Sequence, residues 1–294
     1  VTKCILAATD LSEASNEALR QAHACAVAFG AKLSVCHVLP NLLGINTLFP
    51  QRNQSTSLQV TEIEAKVRGL VEQQVATCMP KSNPEIFVDQ GSDYAGIIRR
   101  AEALSADLIV VGSYGRTGLA ALQLGSVSTH VVRHAHCAVL VARPTSNRGV
   151  VLAATDLSDP SMPAVAAAAE QARSRNAKLV VMHAIDFASV AVNLEEMVLG
   201  AMLDSARNVD QVLREGLAEK LREAIQHCVA TGDVHVTQGS PAAAIVRSAD
   251  QLGAELLVVG TRGRTGLVRL ALGSVAERVI RTASCSVLAV RLAV

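Results

Sequence analysis

The chain has 294 residues, 50% of them hydrophobic, yet it contains no Trp, two Tyr and four Phe. That length accommodates two ordinary domains, and their cores must be aliphatic, which suits parallel strands buried on both faces. A formal charge of +1 and scarce aromatics exclude a basic nucleic-acid footprint, a stacking platform for single strands and strong attraction to an acidic membrane, and no apolar run approaches the ~20 residues of a spanning helix.

In chain order, residues 4–8 read as a buried strand, and the chain opens on that strand pattern rather than on a signal peptide. Asp10 and Ser12 then offer caps for a helix over 13–29 that ends at Gly30. A second strand over 33–39 is stopped by Pro40, and the polar stretch 41–56 reads as a loop. Ile63, Val67, Leu70, Val71 and Val75 place an amphipathic helix over 58–78, closed by Pro80 and Pro84. A third strand follows over 85–89, then a helix through Ile97 and Ile98 and a fourth strand over 108–111. After the glycine-rich stretch that comes next, Ser126 caps a helix through Val131 and Val132, and 138–142 form the fifth strand. Seven scattered Cys without a Cys-x-x-Cys pair point to reduced, packed thiols, Cys137 and Cys285 among them, and to a cytoplasmic setting.

From Val150 the order repeats. Leu6-Ala7-Ala8-Thr9-Asp10-Leu11-Ser12 recurs letter for letter at 152–158, an offset of 146, and Gly115-Arg116-Thr117-Gly118-Leu119 recurs at 263–267, an offset of 148. The second copy has helices over 163–174, through Val209 to Ile225, and from Pro241; 187–203 is an apolar run carrying Glu195 and Glu196, read as a chain contact or core helix before a lid. Repeats of this length are tandem domains, here 1–146 and 147–294, joined across Pro144-Thr145-Ser146-Asn147-Arg148. Alternating strands and helices make each an α/β domain with an open parallel sheet and helices on both faces. The apolar last strands, 137–143 and 285–291, would aggregate as bare edges. They are expected to pair with each other and relate the copies by a pseudo-twofold axis.

Gly112-Ser113-Tyr114-Gly115, with Gly125-Ser126 after nine residues, recurs as Gly260-Thr261-Arg262-Gly263 with Gly273-Ser274. Each reads as strand, glycine loop and helix. Glycine lets backbone N–H groups approach a ligand, and a helix start behind it favours an anion, most often phosphate. The spacing matches neither the Walker A loop nor the dinucleotide fingerprint. In an open parallel sheet the loops after strands one and four meet at the carboxyl edge. That edge brings Asp10 to Gly112–Gly115 and Asp156 to Gly260–Gly263. A carboxylate there serves the sugar or base of a nucleotide whose phosphates lie over the glycines.

Gly-x2-Gly-x9-Gly-Ser after strand four, with Thr-Asp-x-Ser after strand one, resembles the universal stress protein family, in its ATP-binding branch and tandem form, over essentially the whole chain, twice. The resemblance implies two tandem five-stranded sheets of order 3-2-1-4-5, dimerisation through the last strand, and ATP with Mg2+ held by its phosphates. By position it implies base and ribose contacts at Asp10 and Val38, and phosphate contacts at Gly112, Gly115, Gly125, Ser126 and the N–H of Val127. In the second copy the matching residues are Asp156, Ala184, Gly260, Gly263, Gly273, Ser274 and Val275. Ala184 suggests a looser base pocket there, and Arg269 in place of Ala121 suggests unequal affinities.

Blander roles stand beside these. Asp10 and Asp156 also suit helix caps, Ser126 and Ser274 read as caps whatever they bind, and Ser274 with Glu277 matches a capping box. Arg116 and Arg264 can reach phosphate or simply stay solvated or ion-paired. His37 and His183, at equivalent strand positions, read as structural, and His130, His134 and His136 form only a weak metal pattern. A regulatory module occupied by an adenine nucleotide and seen by protein partners competes with a slow ATPase or phosphotransferase, for which no general base or loop Lys is evident. An interaction scaffold with empty sites and a thiol sensor are the remaining readings.

Overall fold

The computed structural model describes residues 2–40, 53–114, 124–144, 146, 149–186, 206–228, 231–262 and 272–291. The chain divides into two compact units, Val1–Pro144 and Thr145–Val294. Unit one runs β1 (Cys4–Ala8), α1 (Glu13–Phe29), β2 (Lys32–Leu39), α2 (Asn53–Cys78), β3 (Glu85–Gln90), α3 (Asp93–Ala103), β4 (Leu108–Gly112), α4 (Ser126–His134) and β5 (Ala138–Ala142). Its strands are parallel and pair in the order β3-β2-β1-β4-β5.

Unit two runs β6 (Val150–Ala154), a 3-10 turn (Asp159–Ser161), α5 (Met162–Arg175), β7 (Lys178–Ile185), α6 (Ala206–His227), β8 (Gly232–Gln238), α7 (Pro241–Gln251), β9 (Leu256–Gly260), α8 (Ser274–Thr282) and β10 (Ser286–Val290). Its order is β8-β7-β6-β9-β10, again parallel. In both units the order reverses beside the first strand, which opens a crevice at the strands' carboxyl ends.

The central strands are aliphatic because both faces are covered: Ile5, Leu6 and Ala7 of β1 and Leu152 and Ala153 of β6 are fully buried. Helix α1 turns a face of Ala14, Ala18, Leu19 and Ala22 inward, and these small side chains bring its backbone close to the sheet. It ends where Gly30 takes a left-handed φ of 63° and its N–H returns to the Ala26 and Val27 carbonyls. An acidic residue pins the start of each first strand. Asp107 Oδ2 accepts the backbone N–H of Lys3 at 2.7 Å and of Cys4 at 2.9 Å. In unit two Glu255 accepts the N–H of Gly149 at 3.3 Å and pairs with Arg175 at 3.6 Å.

Among the helices, α2 departs from the sequence reading. Helix α2 starts at Asn53 rather than near 58, and its stripe is only half used: Val71 and Val75 are buried, whereas Ile63 and Leu70 are 38% and 52% exposed. The reason is tertiary, because the C-terminal half of α2 packs against α1 and β3. In unit two a 3-10 turn over Asp159–Ser161 precedes α5, which begins at Met162, within one residue of the expected start. The run 187–203 lies outside the described residues. Among those described, no helix is long and apolar enough to cross a membrane.

Candidate functional site

The turn after the first strand is built identically in both units. Asp10 Oδ1 accepts the N–H of Ser12 at 3.0 Å and the Ser12 hydroxyl; Asp156 does the same for Ser158. Between them Leu11 and Leu157 hold left-handed φ values of 66° and 62°, a conformation that costs a branched residue roughly 1–2 kcal/mol. The cost is met because the hydroxyls of Thr9 and Thr155 accept the leucine N–H groups at 3.0 and 2.9 Å. The cap of α1 is Ser12, which receives the N–H of Ser15 at 3.3 Å. Asp10 is therefore not the cap but closes an Asx turn two residues ahead of it, leaving its carboxylate at the crevice.

In unit one α2 is latched onto this turn. Gln74 Oε1 accepts the Thr9 hydroxyl at 2.6 Å, while its Nε2 donates to Ser15 Oγ at 3.1 Å and to Asn16 Oδ1 at 2.6 Å. His37 Nδ1–H donates to the Thr9 carbonyl at 2.8 Å, and His183 Nδ1–H donates to that of Thr155 at the same distance. The histidines thus carry the structural role that their strand positions suggest.

The glycine stretch closes on itself across the crevice. Gly125 N–H donates to the Ser113 carbonyl at 2.7 Å, and Gly273 N–H to that of Thr261 at 2.9 Å. Ser128 Oγ donates to the Gly112 carbonyl at 2.6 Å. Gly125 and Gly273 are the N-caps of α4 and α8, and glycine brings no side-chain acceptor to either cap position. Ser126 and Ser274 consequently stand one place inside, at the first helical position, correcting their reading as caps. Glu277 lies in the first turn and its backbone N–H donates to the Gly273 carbonyl at 2.9 Å, the ordinary helical bond. Helix starts of this kind turn unpaired N–H groups and a partial positive charge toward the crevice.

Turn and helix start face one cavity in each unit. In unit one its volume is about 570 Å³, and Asp10, Val38, Gly112, Gly125, Ser126 and Val127 line it. In unit two it is about 270 Å³, lined by Asp156, Ala184, Gly260, Gly273, Ser274 and Val275. Gly115, Arg116, Gly263 and Arg264 lie outside the described residues. Tyr114, Val67 and Leu70 in unit one and Arg262 in unit two are further lining residues that the sequence reading missed. The half-exposed α2 stripe was the available signal for Val67 and Leu70. His130 and His134 stack with ring centroids 6.1 Å apart and His130 also stacks on Tyr94 at 4.7 Å, whereas His136 bonds the Ala106 carbonyl at 3.1 Å, so the three do not form one ligand set.

The second cavity is the smaller one although Ala184 stands where the first has Val38. A Cβ built on Gly96 of α3 would lie 2.8 Å from Val38 Cγ1. In unit two the equivalent pair is Ala184 and Ala244, so of the two methyl groups missing from the strand one is regained on the helix. Gly96→Ala is therefore expected to destabilise unit one by about 1–3 kcal/mol. Adding Val38→Ala should recover most of that loss, giving a coupling of about 1 kcal/mol or more in a urea-denaturation cycle. Simple additivity of the two changes would refute the exchange.

The universal stress protein family model matches residues 2–143 and again 147–291. The chain is 34% identical over 192 residues to Universal stress protein Rv2623 of Mycobacterium tuberculosis, a match covering 63% of this chain and 62% of that protein. It thus spans about three fifths of the length of the mycobacterial relatives it matches. Universal stress protein A homolog 1 of Coxiella burnetii is 35% identical over 140 residues, 48% of this chain and 94% of that protein. The solved structure of a universal stress protein from Archaeoglobus fulgidus shares the fold, with a TM-score of 0.65 at 21% identity over 98% of both chains.

Proposed function

The chain belongs to the universal stress protein family, and from that premise we propose that each unit holds ATP and that occupancy sets the state of a cytoplasmic stress-response regulatory module. The observation that carries this reading occurs twice: a helix start with glycine at its N-cap and a turn carboxylate stand on one cavity at the sheet's carboxyl edge. The N–H groups of Val127 and Val275 and the hydroxyls of Ser126 and Ser274 hold phosphate oxygens, because a helix N-terminus supplies donors and favours negative charge. Asp10 and Asp156, already oriented by their own turns, accept hydrogen bonds from ribose or base. Val38 and Ala184 contribute to the apolar wall beside the base. Among the described residues no three His, Cys, Asp or Glu side chains come together as metal ligands. Mg2+, when bound, neutralises part of the phosphate charge and is carried by the phosphates themselves.

Titration calorimetry of the full chain is expected to return two ATP per chain with a Kd well below 1 mM, the value equivalent to about −4 kcal/mol. Asp10→Ala and Asp156→Ala should each weaken one of the two events, about tenfold for a lost hydrogen bond to a charged group. No heat and no retained ATP or ADP at millimolar concentration would end this reading. Binding unaccompanied by ADP release places the protein among regulators; steady ADP release dependent on Asp10 places it among enzymes.

A further inference from the structure

The two cavities differ at two equivalent places. In unit one the helix start at Asp93 and the loop residue Tyr114 reach the cavity. In unit two, 148 residues on, the corresponding residues are Pro241 and Arg262, and both line it. With His neutral, Asp10 and Asp93 give the described lining of the first cavity a formal charge of −2, whereas Asp156 and Arg262 give the second a charge of 0. Arg262 follows Gly260 by two residues and lines the same cavity as Gly260, Gly273 and Ser274. Its guanidinium is always charged and matches phosphate oxygens in a bidentate fork, which a tyrosine cannot do. The first cavity is about 570 Å³ against about 270 Å³, and Val67 and Leu70 of α2 give it an apolar wall. That wall favours a nucleoside face rather than a polyphosphate.

We infer that the two units sort adenine nucleotides by phosphate charge: through Arg262 unit two favours ATP over AMP, whereas unit one, with Asp93 and Tyr114 at the same places, discriminates far less and gains chiefly from nucleoside contact. Such a chain answers to the ratio of charged to discharged nucleotide rather than to ATP alone. The inference rests on the nucleotide reading above and assigns that reading's ligands between the units. A charge within the Debye length of a phosphate, about 8 Å at physiological salt, is felt there, so the difference should shrink as salt is added.

The test uses the full chain with ATP and AMP, each titrated without divalent ions at low and high salt, on the parent protein and on Arg262→Tyr, Arg262→Gln and Tyr114→Arg. Arg262→Tyr should weaken ATP at one class of site by about tenfold and leave AMP within about threefold, as expected when one complementary charge is removed. Arg262→Gln repeats the loss with a smaller steric change, and thermal melts check that both variants fold. Tyr114→Arg should raise ATP affinity at the other class of site. If the Arg262 variants weaken ATP and AMP by the same factor, or neither, the sorting is overturned while nucleotide binding stands. If none of the proteins binds either nucleotide, both readings fall together.

Discussion

Gly112→Ala is expected to lower the stability of unit one by about 2–3 kcal/mol, in the upper range of overpacking substitutions. Gly112 does not hold a left-handed φ, so the cost is one of contact. A Cβ there would lie 3.0 Å from both the carbonyl carbon and the oxygen of Ala14 and 3.3 Å from the N of Ser15. These are backbone atoms of α1 and no rotamer change relieves them. Neither side can withdraw easily. The Ser15 hydroxyl donates to the Ser12 carbonyl at 2.7 Å, and Ser128 Oγ holds the Gly112 carbonyl at 2.6 Å. Gly260→Ala should cost less, because its nearest contacts are Arg262 O at 3.2 Å and Ser161 Cα at 3.4 Å. Gly69→Ala, in α2 with nothing within 4 Å of its Cβ, is the control and should be neutral or stabilising by roughly 0.5–1 kcal/mol. Denaturation midpoints for the three variants decide the order; a Gly112→Ala midpoint equal to the parent's would mean that α1 does not sit against the end of β4 as closely as these distances require.

Above pH 9 the chain is expected to lose stability through Cys36. This thiol is fully buried in β2, and desolvation pushes its pKa from 9.0 up to about 12, with Asp89 adding to the rise and Arg100 opposing it. In the unfolded chain the same thiol ionises near its ordinary value. Stability held by the neutral thiol is thus fully present below about pH 9 and is lost as pH climbs toward 12, at ~1.4 kcal/mol per pH unit. Lys and Tyr titrate in the same window, so the comparison is with Cys36→Ala, which begins less stable at pH 8. The gap between the two proteins should narrow by about 2–3 kcal/mol by pH 11, read from urea midpoints across the series. A constant gap would mean that the thiol is hydrated in the folded state. The same burial keeps the Cys36 thiolate scarce at neutral pH, which weakens a thiol-sensing role for this residue. Cys4, Cys78 and Cys228 are likewise raised, by desolvation first.

The errors of the sequence reading share a cause. Ser126 and Ser274 have the composition of caps, yet the chain places Gly125 and Gly273 at that position, because their N–H groups are drawn back to Ser113 and Thr261 across the loop. Asp10 is equally good as a cap or an Asx-turn residue, and the choice fell to Ser12 once Thr9 had fixed the N–H of Leu11. The Ala184 substitution looked like lost volume alone because its partner, Ala244, lies far away in the chain. Position 96 carries the complementary change, and only the packing of α3 on β2 makes the two a pair.

By itself the sequence determined the element types and their order, the twofold repetition of the unit and part of the set of residues that gather at the carboxyl edge. Those properties follow from short-range signals: apolar runs the length of a strand, helical spacing, Gly and Pro as breaks, and a turn whose seven letters recur unchanged. Tertiary structure alone decided which atoms cap the helices, how Gln74 ties α2 to Thr9 from 65 residues away, and what charge each cavity carries. The reason is that hydrogen-bond partners and cavity walls are chosen among groups brought together by folding. Their distance along the chain leaves no periodic trace.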